Sequence, residues 1–198
     1  MDETQRNKLW EKYFLMQTKT IFFDEKKEIL CVGTDNGEIC IYKTKSFGNF
    51  KEMEVLAELT FHTDKVSGLF LNADEMKVYS CSYDNMFFVT NLNDNLLTKS
   101  LIYNNTCGFT GLEYIKKYNI FITSDEDGII SLFSYEKLLY RLSLTSQTTS
   151  LDKINALNSY DNYIITGGNN GKTCIIDLSQ AEDKIIREIS SLDIGKFQ

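Results

Sequence analysis

An all-β fold of repeated antiparallel sheets is what this sequence predicts, and three observations predict it. Four segments share one pattern of apolar run, small residues, Asp/Asn turn and second apolar run: CVGTDNGEICIYK (31–43), SCSYDNMFFVTN (80–91), ITSDEDGIISLFS (122–134) and ITGGNNGKTCIIDL (165–178). Their turn residues Asn36, Asp84, Asp127 and Asn170 recur at steps of 48, 43 and 43 residues. The flanking runs are dense in Ile, Val, Phe and Tyr, as strands covered on both faces should be. Units of four strands at this period point to a β-propeller.

Each unit opens on an apolar segment: TIFF from residue 20, VSGLFL from 66, FTGLEYI from 109 and INALNSY from 154. Polar turns such as DEKKE and NADEMK lead to the second strand. The Asp/Asn turn closes a hairpin to the third, because Asn-Gly supplies positive φ at low cost. The fourth strand alternates apolar and polar residues, as an edge facing water does. MEVLAELTF, KSLIY, YRLSLTS and IIREISSL fill that place. The repeats run over about 18–61, 62–104, 105–146 and 150–192, with a tail at 193–198.

Residues 1–17 form an N-terminal extension. KYFLMQT (12–18) fits an outer strand; the lesser alternative is a short amphipathic helix whose Leu9, Trp10, Tyr13, Phe14 and Met16 cover one open end. KIIREISSL (184–192) already gives the last unit an outer strand. About four four-stranded blades therefore imply an incomplete, open ring. A further stretch of chain, another chain or self-association through open blade edges would complete it.

Composition narrows the function. The chain has 198 residues and a net charge of −7, which disfavours nucleic acid as a partner, since phosphate neutralisation supplies most of that affinity. The 42% hydrophobic share excludes a disordered polymer, and no apolar run approaches the roughly 20 residues that span a bilayer. MDETQRNKLW has acidic residues where a signal peptide has basic ones. No membrane partner and a cytoplasmic location, with the nucleus as an alternative, are expected. Five cysteines without C-x-x-C spacing suggest neither disulfides nor zinc, and no cofactor is expected. Cys107, at a loop edge beside Gly108, is the one cysteine to consider for reactivity.

Two motifs need weighing. Gly171-Lys172-Thr173 matches the end of a phosphate-binding loop, but the first glycine of that pattern would fall on Thr166, and a β-branched run follows instead of a helix. DEDG at 125–128 fails as a calcium loop, because Thr123 and Ser134 fall on its first and last ligand positions. Both stretches are read as hairpin turns.

FHTDKVSGLFLNADEMKVYSCSYDNMFFVTN (61–91) resembles a WD40 repeat, and the family likeness extends over about 18–192. The resemblance implies that His62, Ser82 and Asp84 form a structural hydrogen-bonded set joining a strand connection to the next hairpin. The family's Trp-Asp pair is absent: Tyr42-Lys43, Thr90-Asn91, Phe133-Ser134 and Ile176-Asp177 stand there, and His62 is the chain's single histidine. VGTDNGEICIYKTKSFGNFKEMEVLAELTFHTDKV is also similar to a repeat of the WD-repeat FYVE-domain proteins, without the FYVE module.

By position, the family's peptide-docking sites fall on Asp35, Lys65, Ser67, Tyr83, Thr110, Glu126, Asn155 and Asn169. Tyr83 is the strongest of these, as an aromatic in a turn. The resemblance implies a non-catalytic scaffold or adaptor that docks other proteins, with basic segments favoured by the acidic balance. A reader of one basic or modified peptide is the narrower alternative. An enzyme is the least supported, since no acid–base pair, nucleophile or metal set is evident.

Overall fold

The computed structural model describes residues 17–44, 53–93, 97–134, 137–144 and 153–178. Every regular element among them is a strand, and none of the described residues forms a helix long and apolar enough to cross a membrane. The first sheet contains β1 (Thr18–Asp24), β2 (Ile29–Thr34), β3 (Ile39–Thr44) and β4 (Met53–Leu59). The second contains β5 (Val66–Asn72), β6 (Lys77–Ser82), β7 (Met86–Asn91) and β8 (Lys99–Asn104). The third contains β9 (Phe109–Ile115), β10 (Ile120–Asp125), β11 (Ile129–Ser134) and β12 (Lys137–Ser143). The fourth contains β13 (Ile154–Tyr160), β14 (Tyr163–Gly168) and β15 (Thr173–Asp177). Within each sheet, sequential strands pair antiparallel. The expected extension over residues 1–17, except for Gln17 itself, and the candidate outer strand at 184–192 lie outside the described residues.

The hairpins explain why the period is legible. Residues 37, 85, 128 and 171 follow the four Asp/Asn turn positions, and all have positive φ: Gly37 (89°), Asn85 (72°), Gly128 (74°) and Gly171 (74°). Left-handed backbone is cheap for glycine and tolerable for asparagine. Lys172 donates its N–H to Asn170 Oδ1, and Thr173 opens β15. The stretch at 164–173 is thus a strand, a turn and the start of a second strand, with no helix to receive a phosphate.

Burial follows sheet order. The central strands β6 and β10 are covered on both sides, whereas β4, β8 and β12 have exposed positions. Three apolar clusters lie between successive sheets. Ile29, Cys31, Ile39 and Ile41 of the first meet Val66, Leu69, Leu71 and Val78 of the second. On their other side, Tyr79, Cys81, Phe87 and Val89 meet Phe109, Leu112, Phe121 and Phe133 of the third. Ile120, Ile122, Ile130 and Leu132 then meet Ile154, Ile164 and Ile176 of the fourth. The leading strands β1, β5, β9 and β13 pack in that succession. Alternate residues of one strand therefore serve two different interfaces, which is why these runs are apolar without alternation. An all-β chain of repeated antiparallel sheets, stacked in sequence order, is what the structure has.

Candidate interaction site

The start of each leading strand and the end of its partner lie at the same edge of a sheet: Val66 pairs with Ser82, Phe109 with Asp125 and Ile154 with Gly168. The eight candidate docking residues come from these edges. The structure brings three of them together, Lys65 and Glu126 lying around Tyr83. Lys65 Nζ sits 4.1 Å from the centre of the Tyr83 ring, and Lys153 Nζ sits 4.7 Å from it. Lys153 also donates to Glu126 Oε1 at 2.7 Å, and this bond raises the lysine pKa further above its ordinary value. Gly108 makes the assembly possible, since a Cβ there would come 3.1 Å from Tyr83 Cα and Cδ1 and 3.0 Å from Glu126 Oε2.

Lys153 was missed by sequence reasoning, although a signal existed: it precedes β13 as Lys65 precedes β5. Two ammonium groups thus stand beside the Tyr83 ring in a chain whose net charge is −7.

The other candidates lie apart from this cluster. Asp35 donates its N–H to the Gln17 carbonyl at 3.0 Å. Ser67 donates to the Cys81 carbonyl at 3.3 Å, and the Thr110 and Ser124 hydroxyls are 2.9 Å apart, so both half-buried candidates bond within their own sheets. Asn155 and Asn169 bond to each other at 2.6 Å and are exposed.

Beneath this surface lies the His62 network. The buried imidazole has Asp84 Oδ2 2.9 Å from Nδ1 and Ser80 Oγ 2.9 Å from Nε2. An ionised carboxylate only accepts, so Nδ1 carries the proton; with the ring neutral, Nε2 accepts from Ser80. Asp84 also accepts from the N–H groups of Thr63 (3.0 Å) and Met86 (2.9 Å), tying the β4–β5 connection to the β6–β7 hairpin. Burial opposes its charge, but the His62 bond and then these backbone donors outweigh that penalty, leaving its pKa below the ordinary carboxylate value.

Ser82 joins the same two segments without bonding to the imidazole. It donates to the Asp64 carbonyl at 2.9 Å and accepts from the Asp84 N–H at 3.0 Å. Ser80 and Ser82 are two residues apart on one strand and share a face, so sequence alone did not separate their roles.

The third unit replaces this network with other residues. Asn105, 43 positions after His62, donates to Asp125 Oδ2 at 2.9 Å. Asp125, 43 positions after Ser82, is almost fully buried and accepts the N–H groups of Asp127 (3.1 Å) and Ile129 (2.8 Å). Arg141 of β12 donates to Asn105 Oδ1 at 3.0 Å and lies 3.7 Å from Asp125 Oδ2. Thr123 and Thr166 follow Ser80 at successive steps of 43, and their buried hydroxyls make no hydrogen bond. With no histidine in those units, they have no imidazole to meet.

Cys107 is half-buried, and burial together with the charge of Asp125 pushes its thiol up to about 11, so it is protonated at neutral pH. No three or more His, Cys, Asp or Glu residues are grouped to hold a metal ion among the described residues.

No protein-family model and no curated protein matches the chain. Among solved structures 1161 chains match, so the arrangement is widely used and points to no ligand by itself. One is described as the crystal structure of the computationally designed Ika4 protein. It is similar with a TM-score of 0.60 at 18% identity, covering 81% of this chain and 91% of that one. A likeness at this identity is one of fold alone.

Proposed function

We propose that this chain is a WD40-type propeller, or an arc of one, that acts as a non-catalytic scaffold and docks a partner protein on the face centred on Tyr83. The Tyr83 cluster carries this reading. A ring flanked by two lysines and a carboxylate sits at the edges of three successive sheets, so its geometry is held by rigid strands. Aromatic side chains held in this way are common anchors of protein interfaces, because they bring large contact area at little entropic cost. The two ammonium groups suit a partner segment carrying an acidic side chain, and attraction of that kind weakens as salt rises.

The experiment identifies proteins retained by the immobilised chain and measures each by calorimetry. Tyr83→Ala is expected to weaken docking by about 30-fold, the effect of losing a central interface anchor. Lys153→Ala weakens it less and reduces its salt dependence. Retention of no protein would contradict the reading, as would an affinity indifferent to Tyr83, Lys65 and Lys153.

A further inference from the structure

The two later interfaces between sheets follow one rule, and the outer faces of the row obey it without being filled by any of the described residues. Strand pairing places Ile21, Leu69, Leu112 and Leu157 at the same register, each directly after the irregularity near the start of its leading strand. Each points toward the preceding sheet. Leu112 packs where a Cβ on Gly68 would meet its own Cβ at 2.3 Å, and Leu157 packs against Gly111 at 3.2 Å. Leu69 and Leu112 are 6% and 8% exposed, whereas Ile21, with no earlier sheet described, is 66% exposed.

The fourth sheet shows the converse. Ala156 pairs with Gly167 where Gly111 pairs with Ser124 and Gly68 with Cys81. The small-residue socket is therefore repeated, yet a Cβ on Gly167 would meet only Ala156, at 3.7 Å. Ile115, Ile120 and Ile122, which bear on the fourth sheet, are 5%, 2% and 0% exposed. Their counterparts by register are Tyr160, Tyr163 and Ile165, at 76%, 41% and 36%. One face of the row presents an aliphatic knob; the other presents its socket, bordered by exposed apolar side chains.

We propose that a second copy of this chain occupies these faces head to tail, Ile21 of each copy entering the Ala156–Gly167 socket of the other. This continues the interface already made twice within the chain, by Leu112 on Gly68 and Leu157 on Gly111, so it needs no new complementarity. Two contacts related by a twofold axis close two rows of four sheets into a ring of eight, at the upper end of the usual propeller range of roughly four to eight. The inference rests on the propeller reading and goes beyond it by naming the occupant.

The test is the mass in solution of the purified full chain by sedimentation equilibrium, with circular dichroism as a check on folding. A species of twice 22.8 kDa is expected. Ile21→Arg and Ala156→Arg lie at exposed positions, so each variant folds and dissociates at least about 30-fold more readily. Mixing the two restores dimer, because the mixed pair keeps one unaltered knob and one unaltered socket. A wild-type monomer up to the solubility limit would overturn the proposal, as would a dimer indifferent to both substitutions or one that mixing does not restore. A different chain co-purifying on these faces, or a ladder of ever larger species, would also overturn it. A folded monomer would still leave the sheet order intact, and the contact between Leu112 and Gly68 reports that order separately.

Discussion

Gly68→Ala is expected to destabilise the protein by about 3 kcal/mol or more, at the upper end of what overpacking a core costs. The position lies inside β5, where the second sheet meets the third. A Cβ there would stand 2.3 Å from Leu112 Cβ, 2.7 Å from Leu112 N and 3.0 Å from Cys81 Sγ. The first two are fixed to the β9 backbone, so no rotamer relieves the clash and the sheets themselves must part. Separation would loosen the cluster in which Tyr79 and Phe121 rings stand 4.2 Å apart and Phe87 and Phe133 5.1 Å apart. Thermal unfolding should show a melting temperature lower by about 10 °C. A shift of only a degree or two would mean that these sheets are not in contact there. Gly171→Ala is the useful contrast: nothing lies within 4 Å of its added Cβ, and the cost is confined to its φ of 74°.

His62→Ala is expected to cost about 3 kcal/mol, because it removes a buried ring, takes the Ser80 hydroxyl's ring partner and leaves Asp84 with its backbone donors alone. Asp84 and Ser80 lose the imidazole between them, and Phe88 loses a neighbouring ring at 5.1 Å. The β4–β5 connection keeps the Thr63 N–H bond to Asp84 and the bonds that the Asp64 and Lys65 carbonyls accept from Ser82 and Tyr83. Urea unfolding measures the loss. It also separates His62 from a docking role: affinity for any partner held at Tyr83 should change far less than stability does. The Asp84 carboxyl adds a pH signature. Its pKa lies lower in the folded chain than the ordinary 3.8, so its stabilisation is present above that value and is lost as pH falls below it through the folded value. Asp84→Asn should therefore be less stable than wild type at neutral pH, and the gap should narrow as the acid range is entered. A gap that stays constant or widens on acidification would contradict the account of this network.

Much of the fold was legible because strand chemistry is local. The period of the Asp/Asn turns, the apolar runs MFFV of β7 and IFI of β10, and the alternation in β4 each follow from which faces are covered. The left-handed residues Gly37, Asn85, Gly128 and Gly171 sit where turn chemistry requires them. The site was legible in part. Lys65 meets Tyr83 directly, but Glu126 joins them through Lys153, which the repeat register had available at the place of Lys65. What the sequence could not resolve depends on side-chain reach between strands. Ser80 and Ser82 share one face, and only the position of the incoming His62 ring decides between them. The replacement of His62 and Asp84 by Asn105, Asp125 and Arg141 was hidden for another reason: it draws on a fourth strand, a step along the sheet that no spacing rule encodes.

The claim on which the rest depends is that the four sheets stack in sequence order, each leading strand lodging against the one before. Nuclear Overhauser contacts in the labelled protein read this most directly. The account expects cross-peaks from Leu112 side-chain protons to Gly68 Hα, and from Leu157 side-chain protons to Gly111 Hα. Absence of both in a folded sample, or contacts joining the Leu157 side chain to the first or second sheet instead, would contradict it.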